Sequence, residues 1–553
     1  MRKLKPPPPH ANGGFDVKPS HLFYVSYSLR NSQIDFSEQA NSVLEQLEGY
    51  EHAGGCGSGP EAFAAAYAKA AKRFFEVWDK AVAGVGGASV GLTATADLYA
   101  GAEYRAHPTP GPPNTKPLPD VLKGKGYRPV PELGWGNPPD ELGWGHDFLN
   151  NMVGALGSVG EAILRPVFKY ALRHGKVADI TPGGNDIELP KIAAAWRQAK
   201  GSAKKAADDF DDAVSYITNP ASGHSEWQDA MKQFCSSIWG TTAWGQDRVG
   251  RKWNHKDGQK PALDVLMDTA GELASACDGF GREVKKVRSV IEDVYIAAGK
   301  KTFEVKGLRD LIELAGGPYE YAVEFIANLD TGRLDAGVDE YNRAVQALAD
   351  DLNRLMPALD EAHRSVPTYA AEEARAEAFG ARSLNEFKQV HKYTTDPDEN
   401  NHFYPIDLAN QEGIHGSHVI DKHVGQSDEQ LLNRLRDQPT ITAASTFPDL
   451  TIAQKSTQDA MDEIGPDSRE PANAGKPNTG VNNPEKIENW LARPRRDNSM
   501  LTLDPVEFDY ATGRTVPAGS SSASDTHSVK VVLKYKNGID PPYVVFTSMP
   551  AHP

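Results

Sequence analysis

The chain has 553 residues, of which 39% are hydrophobic and 24% are charged, and its formal net charge at pH 7 is −16. This length exceeds what one hydrophobic core usually supports, so we expect a globular protein of several domains rather than a disordered chain. The acidic balance argues against a protein that coats nucleic acid, because neutralising phosphates requires a surplus of Lys and Arg on at least one face.

Membrane segments and cysteine frameworks are not expected. The first residues, MRKLKPPPPHANGGF, lack the apolar core of a secretory signal. No stretch approaches the roughly 18 to 20 consecutive apolar residues that a membrane-spanning helix needs. Cys56, Cys235 and Cys277 are too few and too scattered for a disulfide framework or a Cys-rich zinc module, so we expect free or structural thiols, with one bridge as the alternative.

Residues 1–107 are predicted to form a helical hairpin. Apolar residues recur at three- and four-residue steps over residues 31–49 and again over residues 61–83, which indicates two amphipathic helices. Between them lies the sequence AGGCGSGP at 53–60, which does not easily stay helical.

This hairpin resembles the WXG-type helical hairpins that type VII secretion systems export, with the glycine-rich loop in place of the Trp-x-Gly turn. Tyr99 and Glu103 match the Tyr-x-x-x-Asp/Glu export motif of that pathway, and their spacing puts both side chains on one helix face. The resemblance implies a secretion region that type VII-like machinery recognises. The alternative interpretation is an ordinary exposed helix pair.

The middle of the chain is predicted to be a linker followed by an all-helical bundle. Residues 108–145 are rich in Pro and Gly and repeat the sequence ELGWG at 132–136 and 141–145. Residues 146–393 return to helical periodicity, with breakers between the periodic runs at 192–217, 263–298 and 336–366. Tryptophans in this region are expected to be core anchors; they are Trp196, Trp227, Trp239, Trp244 and Trp253.

The terminal region, residues 405–553, is predicted to be a separate α+β domain. It follows the acidic, breaker-rich stretch TTDPDENN, which we take as part of a linker at 394–404. Helix starts come first, and alternating strand patterns follow at 499–508, 526–535 and 543–549. The whole chain is therefore predicted to be multidomain, mainly α-helical in its N-terminal and middle regions and α+β at its C-terminus.

The densest run of titratable and flexible residues is GSHVIDKHVG at 416–425. Ser427 and Gln430 form a capping-box pattern directly after it, so a helix should begin there with Arg434 about two turns inside. One histidine, one arginine and a late hydroxyl-bearing strand suit RNA cleavage through the ribose 2′-hydroxyl. A base near neutral pKa withdraws the 2′-proton, and a guanidinium fork holds the negative charge on the phosphorane.

These residues also resemble a known family, the RNase A-like domain at the C-termini of contact-dependent-inhibition and related polymorphic toxins. The similarity lies in the segments 408–413, 416–418, 422–425, 431–435, 531–533 and 543–550. It implies a metal-independent endoribonuclease without a cofactor that cleaves RNA, with tRNA as the expected substrate, to a 2′,3′-cyclic phosphate. It also implies a cognate immunity protein as partner, and a toxin secreted by one bacterium that acts in the cytoplasm of a target cell.

The family's catalytic His, the Arg eleven residues later and the Thr-x-Tyr of the last strand fall on His423, Arg434, Thr547 and Met549. Met549 is a mismatch, because methionine has neither a hydroxyl donor nor an ionisable proton. Residues 547 and 549 share one strand face, so both should look into the same pocket. Taken alone, His418 is expected to support its loop rather than react. Four residues are candidates to compensate for the missing tyrosine: His418, His527, Tyr510 and Tyr535.

Two alternative functions stay open at the level of sequence. The first is a secreted helical interaction protein whose terminal domain binds RNA but has lost activity, as Met549 would explain. The second is a metal-dependent nuclease toxin with His415, His418, Asp421 and His423 as ligands. Their spacing is poor for this, and neither a cysteine pair nor a His-Glu-x-x-His helix accompanies them.

Overall fold

A computed structural model of the protein describes residues 18–106, 111–124, 126–134, 148–156, 161–215, 260–313, 318–385, 402–465, 480–494 and 497–551. Several residues singled out in the sequence lie outside these ranges. They are Trp135 and Trp144 of the repeat, Cys235, four of the bundle tryptophans, and residues 394–401 of the predicted linker.

The described residues before 386 are mainly helical. Its helices are α1 (Pro19–Leu47), α2 (Ser58–Ala106), α3 (Phe148–Leu156), α4 (Glu161–Ala171), α5 (Leu189–Ser215), α6 (Ala262–Glu313), α7 (Pro318–Asn328), α8 (Thr331–Asn353), α9 (Met356–Ser365) and α10 (Tyr369–Asn385). A short 3-10 helix, Gly175–Ile180, precedes α5. One hydrophobic core runs through these helices from Leu22 to Phe379.

The first two helices pair as the sequence predicts, but both are longer. Helix α1 begins at Pro19 because Leu22, Val25 and Leu29 extend its buried stripe toward the N-terminus. Helix α2 continues past the predicted end at residue 83 to Ala106, through several glycines. A Cβ on Gly87 would lie 2.2 Å from the Tyr369 carbonyl oxygen, so this glycine lets α2 and α10 pack backbone to backbone.

The extended segment 111–134 also joins this core. Leu133 is buried, and Gln33 Nε2 donates to the Leu122 carbonyl oxygen at 2.7 Å. The hairpin, the segment after it and the later helices therefore share one core. The boundaries assigned within residues 1–393 rest on composition and stay a prediction.

One of the runs predicted from periodicity is interrupted in the structure. The periodic run predicted over 336–366 forms two helices, α8 and α9, with Pro357 in the first turn of the second.

Trp196 on α5 is fully buried and donates from Nε1 to the Tyr67 hydroxyl at 3.0 Å, which fits the expected core role. Helix α2 is long and apolar enough to cross a bilayer by composition, and 83% of its most apolar window is buried inside the protein.

The C-terminal domain is α+β, as predicted. Its helices are α11 (Leu408–Gln411), α12 (Val419–His423), α13 (Asp428–Asp437), α14 (Leu450–Asp462) and α15 (Asn483–Ala492). Its strands are β1 (Ala443–Thr446), β2 (Met500–Thr502), β3 (Val506–Glu507), β4 (Gly513–Pro517), β5 (Ser524–Thr526), β6 (Ser528–Tyr535) and β7 (Tyr543–Ala551). The sheets are antiparallel, with strand order β1-β4-β5 in one, and β2-β6-β3 with β7 also paired to β6 in the other.

Helix α14 covers one face of the β6–β7 pair. Ser548 lies on this face, since its hydroxyl is 2.7 Å from the Thr457 hydroxyl of α14. Because successive strand residues point to opposite faces, Thr547 and Met549 lie on the other face, where they pair with Val532 and Lys530. A register shift between Val532 and Leu533 leaves Phe546 as the extra residue of a bulge next to Thr547.

Candidate active site

His423 is the last residue of α12 and is fixed from both its backbone and its ring. Its carbonyl oxygen accepts from the Phe447 amide at 2.7 Å, which ties α12 to the end of β1. Its Nδ1 lies 3.1 Å from the Ser445 carbonyl oxygen. A carbonyl oxygen only accepts, so Nδ1 carries the proton in this contact and Nε2 of the neutral ring keeps its lone pair.

The surroundings of His423 favour the neutral ring. The side chain is 3% exposed. Burial and, next, the Arg434 guanidinium lower its pKa to about 3. The neutral ring keeps a free lone pair on Nε2, and the negative charge of a bound phosphate would raise its pKa toward the near-neutral value that a base needs.

Arg434 reaches the same place from α13. The predicted capping box is present: the Ser427 hydroxyl accepts from the Gln430 amide, and the Gln430 side chain accepts from the Ser427 amide. This start fixes the register that brings Arg434 Nη1 to the Lys422 carbonyl oxygen at 2.9 Å, one residue before His423. Arg434 Nε is buried and has no hydrogen-bond partner among the described residues. Burial lowers the pKa of Arg434, and a guanidinium nevertheless stays charged at neutral pH.

Strand β7 closes the site through contacts at the start of α12. The His418 amide donates to the Phe546 carbonyl oxygen at 3.2 Å, and the Ser417 hydroxyl donates to the Val545 carbonyl oxygen at 2.7 Å. Thr547 follows directly, 7% exposed, and its Oγ1 has no partner in the described part of the chain. Burying a hydroxyl without a hydrogen-bond partner costs free energy. The Thr547 hydroxyl is therefore free to donate to an oxygen atom of a ligand.

The four candidates to replace the missing tyrosine lie in different parts of the domain. The His418 ring centroid is 6.5 Å from that of His423, and His418 Nδ1 is 2.8 Å from the Gly416 carbonyl oxygen. His527 is exposed. Tyr510 contacts Lys455 of α14, and Tyr535 packs against Trp490 of α15. Both tyrosines thus lie toward the helix-covered face, and of these four residues the structure brings His418 to the site.

Sequence reasoning missed Lys530. It pairs with Met549 across β6 and β7, so its side chain shares the face of Thr547. No motif marks this lysine, because its place depends on the pairing of two strands that the sequence does not specify.

The acidic side chain of Glu412, near the site, binds backbone amides. In the described ranges, no group of three or more His, Cys, Asp or Glu side chains is placed to hold a metal ion. Glu412 instead accepts from the Ile420 and Asp421 amides at 2.9 and 3.0 Å, so it caps α12.

The C-terminal domain that holds this site is similar to the bacterial RNase A-like toxin domains. Residues 417–550 match the family model of the bacterial CdiA-CT RNase A domain. The match supports a bacterial toxin with ribonuclease activity. It covers the part of the chain that holds His423, Arg434 and Thr547.

A solved structure is also similar to this chain. It is the crystal structure of a CdiA-CT/CdiI complex from Y. kristensenii 33638, with 24% sequence identity, a TM-score of 0.19 and coverage of 25% of this chain and 100% of that one. No curated protein matches the chain.

Proposed function

We propose that the C-terminal domain is a metal-independent endoribonuclease that leaves a 2′,3′-cyclic phosphate. The observation that supports this most is the geometry of His423, whose Nδ1 is held by the Ser445 carbonyl while Nε2 stays neutral beside a guanidinium. This is the state that a base needs to withdraw the 2′-proton of ribose.

The reaction follows from the three groups. His423 Nε2 takes the proton of the 2′-hydroxyl, and the 2′-oxygen forms a bond to phosphorus as the bond from phosphorus to the 5′-oxygen breaks. Arg434 stabilises the negative charge that develops on the phosphorane oxygens, and its unpartnered Nε is one donor for this purpose. The Thr547 hydroxyl supplies a second donor from the strand side.

His418 is the group that we assign to the leaving oxygen, in the role that Met549 leaves vacant. Its Nδ1 donates to the Gly416 carbonyl, so in the charged ring the proton on Nε2 is the one that passes to the departing 5′-oxygen. The 6.5 Å between the two ring centroids leaves room for a phosphate between them. Burial lowers the pKa of His418, and a bound phosphate opposes that effect by favouring the charged ring.

Delivery and partners form the outer part of the proposal. We propose export by a type VII-like route, action on tRNA in the cytoplasm of a target cell, and a cognate immunity protein that blocks the site. Tyr99 of the export motif is 7% exposed, and its hydroxyl donates to the Ala381 carbonyl oxygen at 3.4 Å. The secretion machinery would therefore have to recognise this motif before α2 and α10 pack together.

One observation favours a second candidate, an RNA-binding domain without activity. Met549 removes the hydroxyl that the family places two residues after Thr547. Incubating the full chain with total RNA, once in Mg²⁺ and once in EDTA, with His423→Ala in parallel, separates the two. Cleavage by the wild type alone supports the nuclease, and binding without cleavage by either protein supports the inactive domain. Equal cleavage by both contradicts the role of His423, and cleavage that EDTA abolishes supports the metal-dependent alternative.

A further inference from the structure

Helix α10 lies outside residues 417–550, which match the toxin family, yet it packs against the catalytic domain. Its residues Ala374, Ala378 and Ala381 belong to the same hydrophobic cluster as Val419, Ile420 and the strands of the C-terminal domain. Its other side packs on α2, where a Cβ on Gly91 would lie 2.1 Å from the Glu373 carbonyl oxygen. The helix is thus buried between the helical region and the domain that holds His423.

An ion pair in which the Asp421 side chain is 36% exposed joins α10 to the catalytic helix. Arg375 Nη2 lies 3.0 Å from Asp421 Oδ1, and Arg375 Nη1 lies 3.7 Å from a carboxylate oxygen of Glu372. The Arg375 side chain is 12% exposed. The backbone amide of Asp421 also donates a hydrogen bond to Glu412. Arg375 and Glu412 therefore contact the same turn of α12.

The segment just before α10 holds the other end of α12. Thr368 Oγ1 donates to the Gly425 carbonyl oxygen. Gly425 has φ +66°, and a Cβ there would lie 2.4 Å from the Ala371 amide nitrogen, so only glycine allows the two backbones to approach this closely. Gln430 Nε2 also donates to the Arg364 and Val366 carbonyl oxygens at 3.0 and 3.2 Å.

We propose that α10 is the first helix of the catalytic unit and that Arg375 is a positioning residue for His423. This rests on the proposed function of the site. A helix of five residues such as α12 does not hold its shape by itself, because so few backbone bonds do not offset the cost of nucleation. Arg375, Glu412 and Thr368 supply the fixed points from outside it.

The catalytic unit therefore begins near residue 366 rather than at 405 or 417. A domain boundary drawn between α10 and α11 would leave Arg375 on a different fragment from the domain that it supports. Losing the arginine removes the cation beside Asp421 and the buried Glu372, so the link between α10 and this turn of α12 is lost.

The test uses full-length Arg375→Gln and Arg375→Lys, with Arg354→Gln as the control because Arg354 forms an exposed ion pair with Asp351 on α8. Amide hydrogen exchange over residues 419–424 is measured without RNA. We expect Arg375→Gln to raise exchange there about tenfold or more, Arg375→Lys to raise it less, and Arg354→Gln to leave it unchanged. In steady-state cleavage, Arg375→Gln should lower kcat with little change in KM.

Unchanged exchange over residues 419–424 in folded Arg375→Gln overturns the proposal. Where Arg375→Gln does not fold, the double variant Arg375→Gln, Asp421→Asn removes both charges and should regain folding and amide protection. A double variant no better than the single one also overturns it. The exchange experiment needs no activity, so failure of the nuclease proposal and failure of this one give different results.

Discussion

Replacing His418 by Gln tests the assignment of the leaving-group acid. The substitution keeps the backbone contact to Phe546 and removes the ring that packs edge-on against Phe546 at 4.8 Å. Losing that ring contact costs ~0.5 to 1.5 kcal/mol of stability. Losing a positioned general acid lowers the rate by about 10²–10⁴-fold, or ~2.7 to 5.4 kcal/mol of activation free energy. The loss of rate should therefore exceed what destabilisation explains.

The assay compares two kinds of leaving group. RNA needs a proton on the departing 5′-oxygen, whereas ribonucleoside 3′-(4-nitrophenyl) phosphates release a group that departs without one. His418→Gln should lose activity on RNA and retain most of it on the aryl substrates, while His423→Ala loses both. His527→Gln is the matched control, because His527 is exposed in the same domain. Equal losses on both substrates in His418→Gln, or no loss on RNA, would refute the assignment.

Four further predictions concern pH and packing. Because the pKa of His423 is lowered to about 3, the acid limb of kcat/KM that reports this ring should lie below pH 6.5; a limb at or above 6.5 contradicts the neutral buried imidazole. For the same reason, the stability that the neutral His423 ring contributes to the fold should be lost as pH falls from about 6.5 toward 3. Thermal unfolding over this range should show a steeper loss of stability for wild type than for His423→Gln. Burial raises the pKa of Glu377 to about 8, so the native state binds more protons than the unfolded state between pH 4.5 and 8. Stability should fall as pH rises through that window, and Glu377→Gln should flatten the curve; an identical slope in both proteins contradicts this. Trp196→Ala should cost ~3 to 5 kcal/mol in denaturant unfolding, because Trp196 is fully buried; a loss below ~1 kcal/mol would contradict its core role.

Local signals in the sequence were sufficient for α13 but not for α12, whose residues the sequence pattern predicts to be a loop. Ser427 and Gln430 predict where α13 begins, and that start sets the position of Arg434 relative to His423. Alternation over the last residues predicts β7 and places Thr547 and Met549 on one face. These features depend on residues a few positions apart, which is the range over which capping and strand periodicity act.

Long-range pairing is what the sequence did not specify. Strands β1 and β4 were missed, since strands of four or five residues carry little periodic signal. Lys530 lies on the strand face of Thr547 because of the register of β6 with β7. The contribution of Arg375 was hidden for the same reason, because its partner Asp421 lies 46 residues away and Arg375 itself precedes the predicted domain.

The chemistry of the product tests the account most directly. The full chain is incubated with total RNA in EDTA, and the new ends are analysed for wild type, for His423→Ala and for the exposed control His527→Gln. We expect 2′,3′-cyclic phosphate ends from wild type and His527→Gln, and none from His423→Ala. Ends that carry a 3′-hydroxyl, or cyclic phosphates formed equally by His423→Ala, would contradict a buried neutral imidazole as the base of this reaction.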